Sequence, residues 1–169
     1  MSHSGLKLSV LTKVGLVFLV VALSVAGVYL VTQVATPLPA EVPLEGKFFI
    51  NAITLIGTAI GSLIGFLVIW GIGLLVIIAS DQGDKEALFL TLVIVNCLLS
   101  VFSASYIVIT GSVFGSAYVN NNILQILLFG VIYYQLSKQD KRGTLYLTGT
   151  YAVLEVIGIV LCKAISVDW

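Results

Sequence analysis

One carboxylate, Glu155, lies deep within an apolar run, whereas the other charged residues fall in loops or near the ends of such runs. A carboxyl group at that depth is tolerated when it is protonated, paired or facing a polar cavity, so its chemistry is proton exchange, cation binding or hydrogen bonding. Two amides, Asn96 and Gln125, each in a different apolar run, are placed to share that work. The parts needed for other chemistry are missing. The chain has no Ser-His-Asp set, no glycine loop leading to Lys-Ser/Thr for phosphate, and no HExxH zinc motif. His3, the single histidine, falls in the N-terminal arm, and Cys97 and Cys162 sit in apolar segments without metal-ligand spacing. The expectation is a chain with no catalytic residue, no metal site, no cofactor and no enzymatic activity.

Composition sets the elements that must hold these residues. Hydrophobic residues make up 59% of the 169 and charged residues 9%, with a mean hydropathy of +1.15, a balance that belongs to integral membrane proteins. The formal net charge is zero, so nothing steers the chain to nucleic acid. Runs long enough to cross about 30 Å of hydrocarbon occur at about 14–35, 52–79, 87–110, 119–136 and 144–165. Their apolar residues are continuous rather than alternating, which predicts helices and not barrel strands. The predicted fold class is all-α: one transmembrane domain over 1–169, a polytopic helix bundle of about five spans.

Local signals refine these spans. The first is too long for a signal-peptide core and is read as a retained helix, ending where Pro37 and Pro39 stop it. The second apolar stretch, 48–79, would be nearly 50 Å of helix. Its excess is expected to lie at the interface over Lys47 to Thr54, or to be absorbed by a tilt or a break near a glycine. The uncharged segment Gly111 to Ser116 reads as a short external turn or a dip back toward the membrane. Asn120, Asn121 and Asn122 read as a cap for the fourth span. Tyr106, Tyr118, Tyr133, Tyr134, Tyr146 and Trp169 read as interfacial anchors.

Positive charge near the span ends sets the expected orientation. With the N-terminus inside, Lys7, Lys13, Lys85, Lys138, Lys141 and Arg142 fall on the inner side, against Lys47 and Lys163 outside. This predicts N-terminus in and C-terminus out.

Two constellations remain. Gly57, Gly61 and Gly65 form a small-xxx-small stripe on the second span, a seam at which helix backbones can approach closely. The seam is read either as a contact with another helix of the same chain or as an oligomerisation face. On the fifth span, Thr148, Tyr151, Ala152, Glu155, Gly158 and Cys162 share one face, expected to point into the bundle. Counted from the inner span ends, Asn96 lies about 14 Å deep and Gln125 and Glu155 about 16 Å, all near the midplane. Ser24 and Trp70 come out at similar depths. One reading makes Glu155, Asn96 and Gln125 an ion or proton site. The other makes Glu155 a protonated carboxyl bonded to amide or hydroxyl neighbours as helix glue.

From about Phe49 onward the layout resembles the five-span Yip (Ypt/Rab-interacting protein) membrane family. The matching pieces are the glycine-rich Gly57 to Gly73, the turn Gln82-Gly83-Asp84-Lys85 leading into the third span, and the basic turn Lys138 to Arg142 before the last. The resemblance implies a membrane-organising role and carries over no site residue. The resulting expectation is a non-enzymatic structural or interaction component, such as a small subunit of a membrane complex or a Yip-like protein. Its expected partners are the lipid bilayer and other membrane subunits or further copies of itself. The alternative is a small transporter or ion/proton-handling protein that uses Glu155.

Overall fold

Local capping closes the ends of the long apolar runs. The computed structural model describes residues 7–35, 38–39, 41–111 and 118–166; the side chains at 35, 118–121, 159 and 161–166 lie outside that description. The expectations placed on His3, Pro37, residues 112–116, Trp169 and the side chains of Tyr118, Cys162 and Lys163 therefore fall outside it. The described residues form five helices and no strand: α1 (Val10–Leu30), α2 (Leu44–Ser80), α3 (Lys85–Thr110), α4 (Tyr118–Leu136) and α5 (Lys141–Ser166). Ser9 caps α1 by accepting from the Thr12 N–H, and Asp84 caps α3 by accepting from the N–H groups of Glu86 and Ala87. α1 runs on into a π-helical turn, Val31–Ala35. α3 ends on Gly111, whose φ of 64° closes the last turn.

Among the described residues, Val10–Val34, Leu44–Ser80 and Lys85–Thr110 are long and apolar enough to cross a membrane. α2 is one unbroken helix of 37 residues. It runs through its glycines without a break and begins eight residues before the span expected at 52. α4 starts at Tyr118, so Asn120, Asn121 and Asn122 lie within its first turns and not at the position before them.

The helices form a ring in the order α1, α3, α4, α5, α2, with α2 also touching α3 across the middle. Five helix ends gather at one pole. Lys13 of α1 pairs with Glu86 of α3 at 2.6 Å, and the Lys13 ammonium sits 5.8 Å from the Phe89 ring centroid. Phe66 and Trp70 of α2 meet Phe89 edge-on, with centroids 5.7 and 5.9 Å away. The α2–α3 turn meets the start of α5 so closely that a Cβ on Gly143 would lie 2.8 Å from the Gly83 Cα.

The polar turn is tied to α4 by Tyr133. Its hydroxyl accepts a hydrogen bond from the Asp84 N–H at 2.7 Å, and its side chain is fully buried. Tyr133 is therefore not an interfacial anchor: its ring stacks on Phe129 and its hydroxyl finds a backbone partner inside the bundle. Tyr146, in contrast, is half exposed. The core clusters toward this pole, with Leu88, Leu92, Phe129 and Leu147 at most 2% exposed.

Gly83 adopts a φ of +102°, and a Cβ there would fall 2.7 Å from the Tyr133 hydroxyl. Gly83→Ala is expected to destabilise the chain by about 1–3 kcal/mol, combining backbone strain with loss of that contact. Tyr133→Phe keeps the ring and removes the acceptor, at a cost of about 1–2 kcal/mol. Thermal unfolding of the detergent-solubilised protein checks both; an unchanged midpoint in Gly83→Ala would sink this account of the pole.

Candidate functional site

Two stripes at four-residue spacing build the site. On α4, Gln125, Phe129 and Tyr133 follow one another along one face, and on α5 Leu147, Tyr151 and Glu155 do the same. The stripes meet along the α4–α5 contact. Phe129 stacks on Tyr151 with centroids 4.5 Å apart and rings 7° from parallel. One turn further from the capped pole, apolar stacking gives way to hydrogen bonding. The Gln125 Nε2 donates to the Tyr151 hydroxyl and to Glu155 Oε1 at 3.2 Å. Tyr151 is 3% exposed, while Gln125 and Glu155 are half-buried.

Gln125 has a second exposure. With Asn96, Ser24, Ser100 and Ser103 it lines an open cleft of about 280 Å³ between α1, α3 and α4. Leu23, Val28, Leu99 and Ile107 supply apolar wall. The cleft occupies the half of the bundle away from the capped pole. It begins beside Asn96 and Gln125, each eleven residues (~17 Å) from its helix end there, and continues to Ile107 of α3 and Val31 of α1.

The three residues proposed from sequence are thus partly assembled. Gln125 and Glu155 touch, and Gln125 and Asn96 share the cleft wall. Asn96 spends its Nδ2 on the Leu92 carbonyl at 2.8 Å. Ser24 and Trp70, expected at the same depth, diverge. Ser24 lines the cleft, while Trp70 packs on Phe89, and its Nε1 is buried without a hydrogen-bond partner among the described residues. The face expected on α5 is seen in part: Tyr151 is buried and Thr148 packs against Gly130, whereas Gly158 is exposed.

Sequence reasoning missed the Gln125–Tyr151 pair and the ion pair of Lys13 with Glu86. The four-residue spacing of Gln125, Phe129 and Tyr133 was the available signal for the first, since it puts a polar group on a face otherwise committed to packing. No comparable signal announces the second, because partners 73 positions apart are joined by topology alone.

Among the described residues no cluster of three or more His, Cys, Asp or Glu side chains could hold a metal ion. Among the described residues the glycine seam has no close partner: a Cβ on Gly57, Gly61 or Gly65 would meet nothing within 4 Å.

Gln125 is the shared donor for Tyr151 and Glu155, so Gln125→Leu is expected to cost more than Glu155→Gln, which keeps a hydrogen-bonding amide on α5. The expected losses are about 1–3 kcal/mol for the first and under about 1 kcal/mol for the second. Reversible unfolding in mixed micelles ranks them, and the opposite order would overturn the assignment of Gln125 as the bridge. No protein-family model, curated protein or solved structure matches the chain, so a functional reading rests on this geometry.

Proposed function

We propose that the chain is a five-span integral membrane protein, N-terminus inside and C-terminus outside, that acts as a non-enzymatic interaction component assembling through α2. The observation that carries this reading is the open glycine stripe. Gly57 and Gly61 are exposed and flanked by Ile53, Ile56, Ile60 and Ile64, each more than half exposed. A helix from another subunit or a second copy can approach such a face closely, gaining packing that lipid tails supply less well. The resemblance of the sequence layout to the Yip proteins supports a membrane-organising role. Basic residues at three helix starts, Lys13, Lys85, and Lys141 with Arg142, lie at or beside the capped pole, which supports placing that pole inside.

Because a Cβ on Gly57 or Gly61 would meet nothing within 4 Å among the described residues, filling the groove separates folding from assembly. Gly61→Ile is expected to leave the unfolding midpoint within about 0.5 kcal/mol of wild type while abolishing the complex seen by native mass spectrometry of gently extracted membranes. An intact complex in Gly57→Leu/Gly61→Ile would show that α2 is not the assembly face.

A second reading, ion or proton handling at Glu155 with Asn96 and Gln125, is supported by the Gln125–Glu155 contact beside the cleft. In proteoliposomes, Glu155→Gln is expected to leave assembly intact and abolish a cation or proton flux. A variant that loses assembly, with no flux detectable in wild type, would remove this reading.

A further inference from the structure

Hydroxyls on these helices mostly turn back on their own backbone. Ser24 bonds to the Val20 carbonyl, Thr58 to Thr54, Ser80 to Val76, Thr91 to Ala87 and Thr150 to Tyr146, the usual way of hiding a hydroxyl in an apolar helix. Ser100 and Ser103 make no such bond among the described residues, and both line the cleft. The amide nitrogens beside them already donate, Asn96 Nδ2 through one hydrogen to the Leu92 carbonyl and Gln125 Nε2 to both Tyr151 and Glu155. An amide whose NH2 is engaged keeps its carbonyl oxygen as a free acceptor. The polar wall therefore presents mainly oxygens, on Ser24, Asn96, Ser100, Ser103 and Gln125, with one Asn96 N–H beside them.

Oxygen donors without thiolate or imidazole suit hard cations. None of the residues lining the cleft is charged, and divalent sites are built with carboxylates, so the chemistry fits a single positive charge. At about 30 Å³ per water, a cleft of about 280 Å³ has room for an ion and several waters.

We infer that the cleft between α1, α3 and α4 binds a monovalent cation, and that Gln125 couples its occupancy to the proton on Glu155. This rests on the ion-handling reading and supplies its ligand and its route. The coupling follows from the two faces of one amide. An ionised carboxylate only accepts, so it draws the NH2 of Gln125 toward Glu155 and leaves the carbonyl oxygen for the cation. A protonated Glu155 donates, and its best acceptor is that same carbonyl, so the amide turns over and presents N–H groups to the cleft, where they repel a cation. The Tyr151 hydroxyl donates or accepts and serves either state. As the cation enters, the carboxyl O–H bond breaks and the proton leaves to water, so the charge of the site is unchanged and no uncompensated charge is buried.

The surroundings of Glu155 leave this exchange to the pair. Tyr151 is the titratable group in contact with it; α4 carries no charged residue, and α2, which packs on α5, carries charge at Glu45 and Lys47 in its first turns, far from this level. On α5 itself, Lys141 and Arg142 lie at the capped pole and Lys163 lies two turns beyond Glu155.

The test uses the full chain, purified in detergent, with sodium chloride titrated against choline chloride at fixed pH and ionic strength. The readouts are the infrared band of the protonated carboxyl, assigned by its loss in Glu155→Gln, and proton release in weakly buffered medium. Sodium, and not choline, is expected to bleach the band and release about one proton per chain. Ser100→Ala/Ser103→Ala is expected to raise the sodium midpoint about tenfold with an unchanged spectrum before sodium is added; Ser24→Ala serves if that double variant does not fold. A band that titrates with pH and ignores sodium leaves proton handling at Glu155 standing and overturns the cation site. A band that responds to neither overturns both. A sodium midpoint unmoved by the serine substitutions places the cation elsewhere and overturns the assignment to the cleft.

Discussion

The hydrogen bond from the Asp84 N–H to the Tyr133 hydroxyl is the constraint on which the rest of the bundle depends. It joins α4 to the turn that both ends α2 and starts α3. That turn has its own backbone demands, with Asp81 at φ 51° and Gly83 at φ 102°. Asp84 is simultaneously committed by its carboxylate to capping α3. Gly83 then admits Gly143 at van der Waals range, which fixes where α5 begins, and Asp140 caps that start by accepting from the Gly143 N–H at 3.0 Å. Lys13 and Glu86 bring the remaining helix to the same place. Individually each contact contributes on the order of 1 kcal/mol; together they set the relative height of all five helices, and so which residues can face one another further along.

What they permit further along is graded. Near the pole, α3 is buried on every side, from Ala87 to Val93 with only Leu90 between them less than buried. Beyond Leu99, its large residues Val101, Phe102, Val108 and Ile109 are exposed. Gln125 stands at the changeover. On one side it closes the aromatic ladder of Tyr133, Phe129 and Tyr151, and on the other it opens on the cleft. A polar group here has a rigid backing and a yielding front, the arrangement in which a side-chain reorientation can be driven by what enters the front.

Much of this layout was legible in the sequence. Long continuous apolar runs announced helices, and Asp81 to Lys85 announced the turn, because both signals are local. The convergence of Gln125 and Glu155 followed from depth counting, since antiparallel helices joined by short turns must share levels. Depth leaves rotation open. It put Trp70 in the same layer as Asn96, but α2 turns that ring onto Phe89. Tyr133 near a helix end had the composition of an interfacial anchor, and only its four-residue spacing from Phe129 and Gln125 marked it as a core residue. The glycine stripe was readable first as an internal seam and second as an external one, because small residues declare that a helix can approach and say nothing about whose helix it is.

The unbroken length of α2 carries a mechanical consequence. At 1.5 Å per residue its 37 residues form a rod of about 55 Å, gripped near Ser80 and, among the described residues, with nothing within 4 Å of a Cβ at Gly57. A rod held at one end is a lever: ten degrees of swing at the grip displaces the far end by about 10 Å. In a membrane, thinner or thicker lipid sets that swing, because the apolar rod must keep its surface out of water. With α2 as the proposed assembly face, bilayer thickness would become an input to the protein, read at one end of α2 and expressed as the position of that face.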